Sequence, residues 1–219
     1  MNFDFLPKYY NFFIQGTKFT VLIAFFSVIL GIIFGTVLSL MRISNNKILK
    51  AVSTVYIEFM RGTPLLVQLF IIYYGLDFSR LIGGEFGDIA SGIATLSLNS
   101  AAYVAEIIRS GIQSVDKGQM EAARSLGMTY RMAMRYVIYP QAFKNILPAL
   151  VNEFIVVIKE SSIVSIIGIH ELMYNADTVR GVTFRPFEPL IIAALIYFIL
   201  TFTLSKLLGK LEGRLKLSD

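Results

Sequence analysis

The chain has 219 residues, of which 55% are hydrophobic and 16% are charged, and its formal net charge is +5. A soluble domain usually contains about 25% charged residues, so this composition excludes an ordinary soluble protein. The sequence has no cysteine, which excludes disulfide bonds and thiolate metal sites. We therefore expect an integral membrane protein.

The first apolar segment, Phe19–Met41, contains no charged residue. As an α-helix it would be about 35 Å long, which is enough to cross a bilayer core of roughly 30 Å. Its length and the mixed residues before Lys18 are unlike a cleavable signal peptide. Gly31 and Gly35 have the spacing that lets two helices approach closely, either within one chain or between two copies.

Four more apolar segments follow in the chain: Thr63–Leu76, Ile89–Ile108, Ile146–Ile169 and Phe187–Leu208. The alternation typical of a membrane β-barrel is absent from the sequence, which leaves a helical bundle as the spanning architecture. The sequence thus predicts an all-α integral membrane fold with about five transmembrane helices, in a single domain that covers residues 1–219.

Lysine and arginine are distributed unequally between the segments that connect these spans. Most of them fall in residues 42–50, 109–145 and 206–216, and few fall elsewhere. Basic residues accumulate on the cytoplasmic side of membrane proteins. This predicts an N-terminus outside and a C-terminus in the cytoplasm, with a cytoplasmic loop at residues 109–145, between spans three and four.

A break is predicted where the second span begins. Gly62, Thr63 and Pro64 combine a flexible residue with one that lacks an amide donor, so we expect a kink or a helix start there. The break is either a hinge near a gate or a simple boundary between an interfacial helix and a spanning helix. Just before it, Glu58 and Arg61 have the spacing of an ion pair on one helical face.

Polar residues inside the spans are the candidate substrate contacts. They are Glu153 in span four, Asn99 and Ser97 in span three, and Gln68 in span two. Polar groups at membrane depth usually face a partner or a cavity. These four side chains either line a pocket for a polar solute or hydrogen-bond between helices and hold the bundle together. A buried carboxylate such as that of Glu153 needs a cation, which either the substrate or Lys159 would supply.

The cytoplasmic loop contains an amphipathic element. Residues 117–126 place apolar and small side chains at helical spacing, and Gly127 fits a helix end at which φ is positive. A second helix is predicted over Thr129–Val137, ending by Tyr139 because the residue before Pro140 disfavours helical geometry. Periodicity alone is consistent with a knob that docks a partner or with a helix on anionic lipid.

The stretch "EAARSLGMTYRMAMRYVIYP" resembles the EAA motif in the permease subunits of ABC importers. Glu121, Ala122, Ala123 and Gly127 match that motif, and its final proline is kept, although the preceding "VIY" differs from the usual Ile-x-Leu. Three longer stretches are similar to the polar-amino-acid branch of these permeases, which includes permeases for histidine, glutamine, arginine and cystine: Arg61–Phe70, Ser97–Met128 and Leu147–Ile169.

This resemblance implies the transmembrane subunit of an ATP-driven importer of a polar amino acid, in a bacterial inner membrane. The EAA loop, approximately residues 109–145, would dock on a cytoplasmic ATPase dimer that binds ATP and Mg²⁺, and this chain would bind no cofactor. The other implied partners are an extracytoplasmic amino-acid-binding protein and a second permease copy or a paralogue. The sequence lacks a Gly-rich phosphate-binding loop with its lysine, so we expect this chain not to be an enzyme.

Two other classes of protein stay open on the sequence. One is an ion-gradient-driven secondary carrier or channel for small polar solutes, and the other is a non-transporting membrane scaffold for a cytoplasmic enzyme. Membrane topology explains the placement of the basic residues, so no nucleic-acid partner is expected. The sequence shows no cluster of Asp, Glu and His that predicts a metal site.

Overall fold

The computed structural model describes residues 1–216, and no strand is present in that part of the chain. The predicted all-α fold class is therefore confirmed. The α-helices of the described part are α1 (Leu6–Ile43), α2 (Lys47–Gly62), α3 (Leu65–Leu76), α4 (Phe78–Ile82), α5 (Gly84–Gln113), α6 (Lys117–Ser125), α7 (Tyr130–Ala133), α8 (Tyr139–Glu160), α9 (Leu172–Thr183) and α10 (Glu188–Lys216). A π-helical turn, Met134–Ile138, precedes α8, and a 3-10 helix, Ser161–Ile167, follows it.

Within residues 1–216, two helices are each long and apolar enough to cross a membrane, namely α1 and the part of α10 from Glu188 to Lys210. The pair α2 and α3 meets the same criterion together, but the two helices are bent by 111° at the break between them. With 30 and 22 residues, α5 and α8 have the length to span a bilayer. The total of five spans stays a prediction.

The predicted fourth span, Ile146–Ile169, is not one regular helix. The α-helical part ends at Glu160, and the 3-10 helix continues the chain to Ile167. Gly168 then ends this segment with a φ of +86°, in the left-handed region that glycine adopts most readily. The apolar run in the sequence therefore contains two kinds of helix in succession.

The centre of the fold is the packing of α1 against α5. Gly31 lies against Ser100, and Gly35 lies against Val104. A Cβ atom added to Gly35 would come within 2.7 Å of the Val104 side chain and 2.8 Å of the Ala101 carbonyl oxygen. The Gly-x-x-x-Gly spacing therefore serves close packing within one chain, which is one of the two alternatives that the sequence leaves open.

Replacement of Gly35 by alanine should destabilise the protein, because the added methyl group overlaps both side-chain and backbone atoms of α5. Overpacking of this kind costs about 1–3 kcal/mol, and it should lower the midpoint of thermal unfolding in detergent. Gly209 of α10 has no atom within 4 Å of its Cβ position, so Gly209→Ala is the matched control. An unchanged midpoint for Gly35→Ala would contradict this account of the α1–α5 contact.

A buried glutamate, Glu171, joins α1, α9 and α10. Glu171 caps α9 by accepting a hydrogen bond from the amide of Tyr174 at 2.8 Å. Its other oxygen accepts hydrogen bonds from the hydroxyl of Thr20 in α1 at 3.2 Å and from that of Tyr197 in α10 at 2.8 Å. Burial of this carboxylate is therefore matched by hydrogen bonds from three helices.

The predicted end of the second loop helix before Pro140 is wrong. The chain passes from α7 through the π-helical turn into α8, and Pro140 lies in the first turn of α8. In the π-helical turn the amide of Tyr139 donates to the carbonyl oxygen of Met134. Proline is tolerated in a first helical turn, where its missing amide hydrogen has no obligatory acceptor. The π-helical turn ends at Ile138 and α8 begins at the next residue, so the chain stays helical up to and through Pro140.

Candidate functional site

The break between α2 and α3 lies where the sequence predicts it. Gly62 is the last residue of α2, and Thr63 and Pro64 are extended residues between the two helices. A helix that ends leaves its last carbonyl oxygens without helical partners. Met60 in the last turn of α2 is buried, so its carbonyl oxygen requires a hydrogen-bond donor from elsewhere.

Gln68 and Asn99 supply such donors. The side-chain nitrogen of Gln68 donates to the carbonyl oxygens of Met60 at 2.7 Å and Thr63 at 3.1 Å. The side-chain nitrogen of Asn99 donates to the Gln68 side-chain oxygen at 2.9 Å and to the Met60 carbonyl oxygen at 3.4 Å. Two of the predicted site residues therefore lie together, and they hold the broken helix against α5.

Replacement of Gln68 by leucine should destabilise the protein, because it leaves the Met60 and Thr63 carbonyl oxygens without the Gln68 donor. An unsatisfied buried polar group costs about 1–3 kcal/mol, which the midpoint of thermal unfolding should report. Gln113 at the exposed end of α5 offers the matched control Gln113→Leu. Equal midpoints for the two variants would contradict a structural role for Gln68.

Glu153 lies on α8 and faces α5. Its residue exposure is 6%, and its Oε1 accepts a hydrogen bond from the hydroxyl of Ser100 at 2.8 Å. Within residues 1–216 Glu153 forms no ion pair, with Lys159 or any other basic residue. The absent Cβ of Gly31 leaves room for Ser100 between the helices. The carboxylate is thus buried, with a single hydroxyl as its partner in the described chain.

Hydrogen bonds join the candidate residues in two separate pairs. Asn99 contacts Gln68, whereas the next residue, Ser100, contacts Glu153. Successive residues point about 100° apart on an α-helix, so the two pairs lie on different sides of α5. Ser97 is buried but donates to the Ile93 carbonyl oxygen of its own helix. Sequence reasoning did not identify Ser100 as the partner of Glu153, because nothing in the sequence indicates which face of α5 meets α8.

Ion pairs fasten α2 to the ends of α1 and α5. Arg42 contacts Glu106 at 3.0 Å and Glu58 at 3.3 Å, and Arg109 also pairs with Glu106. The predicted pairing of Glu58 with Arg61 is wrong, because Glu58 contacts Arg42. The guanidinium group of Arg61 lies 5.5 Å from the centroid of the Tyr103 ring.

The EAA loop contains two short helices that meet at a glycine. Gly127 has a φ of +85°, as the sequence predicts. Its amide donates to the Arg124 carbonyl oxygen at 3.0 Å, and the amide of Met128 donates to the Ala123 carbonyl oxygen at 3.2 Å. These hydrogen bonds satisfy the last carbonyl oxygens of α6. The hydroxyl of Thr129 then caps α7.

The first of these helices divides the EAA residues between two sides. Ala123 is buried in the chain, whereas Glu121 and Ala122 are exposed. Leu126 is 82% exposed and Tyr130 is 58% exposed. These two side chains are accessible for a contact with another chain.

The match to a family model decides the class of this protein. Residues 14–217 match the model described as "Binding-protein-dependent transport system inner membrane component". The chain belongs to this family. The resemblance that the EAA motif indicates is therefore confirmed, and the helical fold is that of an inner-membrane component of a transport system.

Two named permease proteins are similar over nearly the whole chain. The arginine transport system permease protein ArtQ of Bacillus subtilis is 44% identical, with 100% of each chain covered. A putative glutamine transport system permease protein GlnP of Rickettsia felis is 40% identical, with 97% of this chain and 98% of that protein covered.

Two solved structures have a similar fold. The crystal structure of an amino acid ABC transporter with histidines contains a chain with a TM-score of 0.90 and 54% identity, and the match covers 98% of this chain and 100% of that chain. An inward-facing MetNI methionine ABC transporter has a TM-score of 0.77 at 18% identity, covering 98% of this chain and 99% of that chain. At 18% identity, the similarity to the methionine transporter shows a shared fold and nothing more.

Proposed function

We propose that this chain is the membrane-spanning permease subunit of an ATP-driven importer, which translocates a polar amino acid delivered by an extracytoplasmic binding protein. The observation that carries the proposal is the full-length similarity to permeases named for arginine and glutamine transport. The 54% identity to a chain of an amino acid ABC transporter supports the same substrate class. An inner membrane with the N-terminus outside and the C-terminus in the cytoplasm completes the proposal, on the distribution of basic residues.

The EAA loop is the proposed contact with a cytoplasmic ATPase dimer, which would bind ATP and Mg²⁺. Glu121 and Ala122 are exposed on α6, and Leu126 projects beside them. Ala123 and Gly127 would not contact the ATPase directly in this proposal. Ala123 lies on the buried side of α6, and Gly127 provides the turn that follows this helix. Nucleotide chemistry would belong to the partner, and this chain would transmit motion and bind no cofactor.

The substrate path is proposed to pass the two polar pairs on α5. The Glu153 carboxylate has no cationic partner in the described chain, and every amino acid carries an ammonium group that would pair with it. Gln68 and Asn99 would contribute through the helix break that they stabilise, and Ser97 would line the adjoining surface of α5. The break at Gly62, Thr63 and Pro64 would act as a hinge, and a second permease copy or a paralogue would complete the path.

Reconstitution separates this proposal from an ion-gradient-driven carrier. The permease, its ATPase and its binding protein in liposomes should take up amino acids only when ATP is available to the ATPase. A panel of amino acids added with the binding protein should identify the substrate by stimulated ATP hydrolysis. Accumulation in vesicles that contain this chain alone, under a proton or sodium gradient, would contradict the proposal. Docking of the ATPase without any substrate-dependent change in hydrolysis would instead indicate a scaffold.

A further inference from the structure

A cavity of about 490 Å³ lies where the end of α1 approaches the EAA loop. Its apolar wall includes Leu40 and Ile43 of α1, Ile112 of α5 and Met134 of the π-helical turn. Cavities of this size accommodate small organic groups. This space lies at the last turn of α1, and none of the residues in the Glu153 and Gln68 pairs lines it.

Arg131 provides the charge in this cavity. None of the nine residues that line it is acidic. Within residues 1–216 the guanidinium group of Arg131 has no carboxylate partner, whereas Arg42 and Arg109 are both paired with Glu106. An unpaired guanidinium beside an apolar wall favours an anionic group, which it can bind with two parallel hydrogen bonds. Tyr130 and Tyr139 also line the cavity.

The position of the cavity along α1 indicates where such an anion comes from. Ile33, Val37 and Leu40 are each more than half exposed and follow one another at helical spacing, so they form an apolar strip on the outside of α1. The strip leads directly to the cavity, and α1 ends there at Ile43. Tyrosine is enriched at the depth where lipid headgroups meet water. A molecule that follows this surface has an apolar tail and an anionic head.

We propose that the cavity is a binding site for an anionic phospholipid, with the phosphate at Arg131 and an acyl chain along Leu40 and Ile43. The lipid would fill the space between α1 and the π-helical turn that joins the EAA loop to α8. It would then support the loop from the membrane side, while Leu126 and Glu121 stay free for a partner. This site goes beyond the proposed function, because it requires neither the amino acid nor ATP.

A single tryptophan tests the site. The chain has no tryptophan, so Tyr139→Trp gives one fluorescent reporter at the cavity, which lipids with brominated acyl chains quench on contact. Brominated phosphatidylglycerol should reach half-maximal quenching at a mole fraction about fivefold lower than brominated phosphatidylcholine, the preference expected from one basic residue. Adding Arg131→Gln should remove that preference. Adding Arg135→Gln should preserve it, because Arg135 lies over the Tyr136 ring and does not line the cavity.

Several results would overturn the proposal. Equal quenching by the two lipids would do so, and so would an unchanged preference after Arg131→Gln. Relief of quenching by inorganic phosphate would assign the cavity to a soluble anion, and relief on addition of the ATPase subunit would assign it to a protein segment. Native mass spectrometry of the chain without the tryptophan repeats the test, since the unmodified protein should retain phosphatidylglycerol that Arg131→Gln loses.

Discussion

Replacement of Gly127 by valine should uncouple ATP hydrolysis from amino-acid uptake in the reconstituted transporter. Gly127 has a φ of +85° between α6 and α7, and β-branched residues strongly resist that region. The cost is about 1–3 kcal/mol for one residue, which lowers the equilibrium constant for forming the native turn by about 5- to 150-fold. We expect uptake to fall by about fivefold or more, while the amount of protein in the membrane is unchanged.

The turn at Gly127 permits a control that separates backbone strain from steric overlap. No atom outside the neighbouring residues lies within 4 Å of the Cβ position of Gly127, so an added Cβ atom meets no steric obstacle there. Asparagine tolerates positive φ far better than valine does. Gly127→Asn should therefore preserve most of the uptake. Normal transport by Gly127→Val would show that coupling does not depend on this turn.

Replacement of Glu153 by glutamine should abolish most transport without unfolding the protein. Glutamine preserves the size of the side chain and an oxygen that can accept the 2.8 Å hydrogen bond from Ser100, but it removes the negative charge. If that charge pairs with the substrate ammonium in a desolvated path, its removal should lower uptake by tenfold or more, the effect of about 1.4 kcal/mol. Uptake of radiolabelled amino acid and thermal unfolding should be measured on the same preparation.

A second variant separates the charge of Glu153 from its hydrogen bond. Ser100→Ala removes the hydroxyl partner and leaves the carboxylate in place. We expect it to reduce uptake less than Glu153→Gln does, although it should lower stability by about 1 kcal/mol. Unchanged uptake by Glu153→Gln would rule out substrate pairing at this carboxylate and leave it a structural residue between α5 and α8.

The helical architecture and the helix break were accessible from the sequence because their signals are local. The uncharged run Phe19–Met41 lies within α1, although the helix begins earlier, at Leu6. Hydropathy identifies the part of a helix that is apolar enough to lie in lipid. The first turns of α1 lie outside that part, and Phe13 there packs in one core cluster with residues of α9. Gly62 to Pro64 predicts the break between α2 and α3 through backbone rules that need no distant partner.

The contacts of the candidate site were accessible only in part. Burial of Glu153 and Asn99 follows from their positions in apolar segments. Their partners do not, because Ser100 is 53 residues from Glu153 and Gln68 is 31 residues from Asn99. The rule for the residue before Pro140 failed because α8 begins at Tyr139, directly after the π-helical turn, and accepts the proline in its first turn.

The sequence by itself determined that this protein lies in a lipid membrane, that its fold is helical and that φ is positive at Gly127. These follow from the transfer of apolar side chains into lipid and from the conformational freedom of single residues. Only the tertiary structure decided that the polar residues of α5 form two pairs, that Ala123 lies inward, and that Arg131, beside the end of α1, has no carboxylate partner within the described residues. Those features depend on which helix faces meet, and helix faces are chosen by the packing of side chains far apart in the chain.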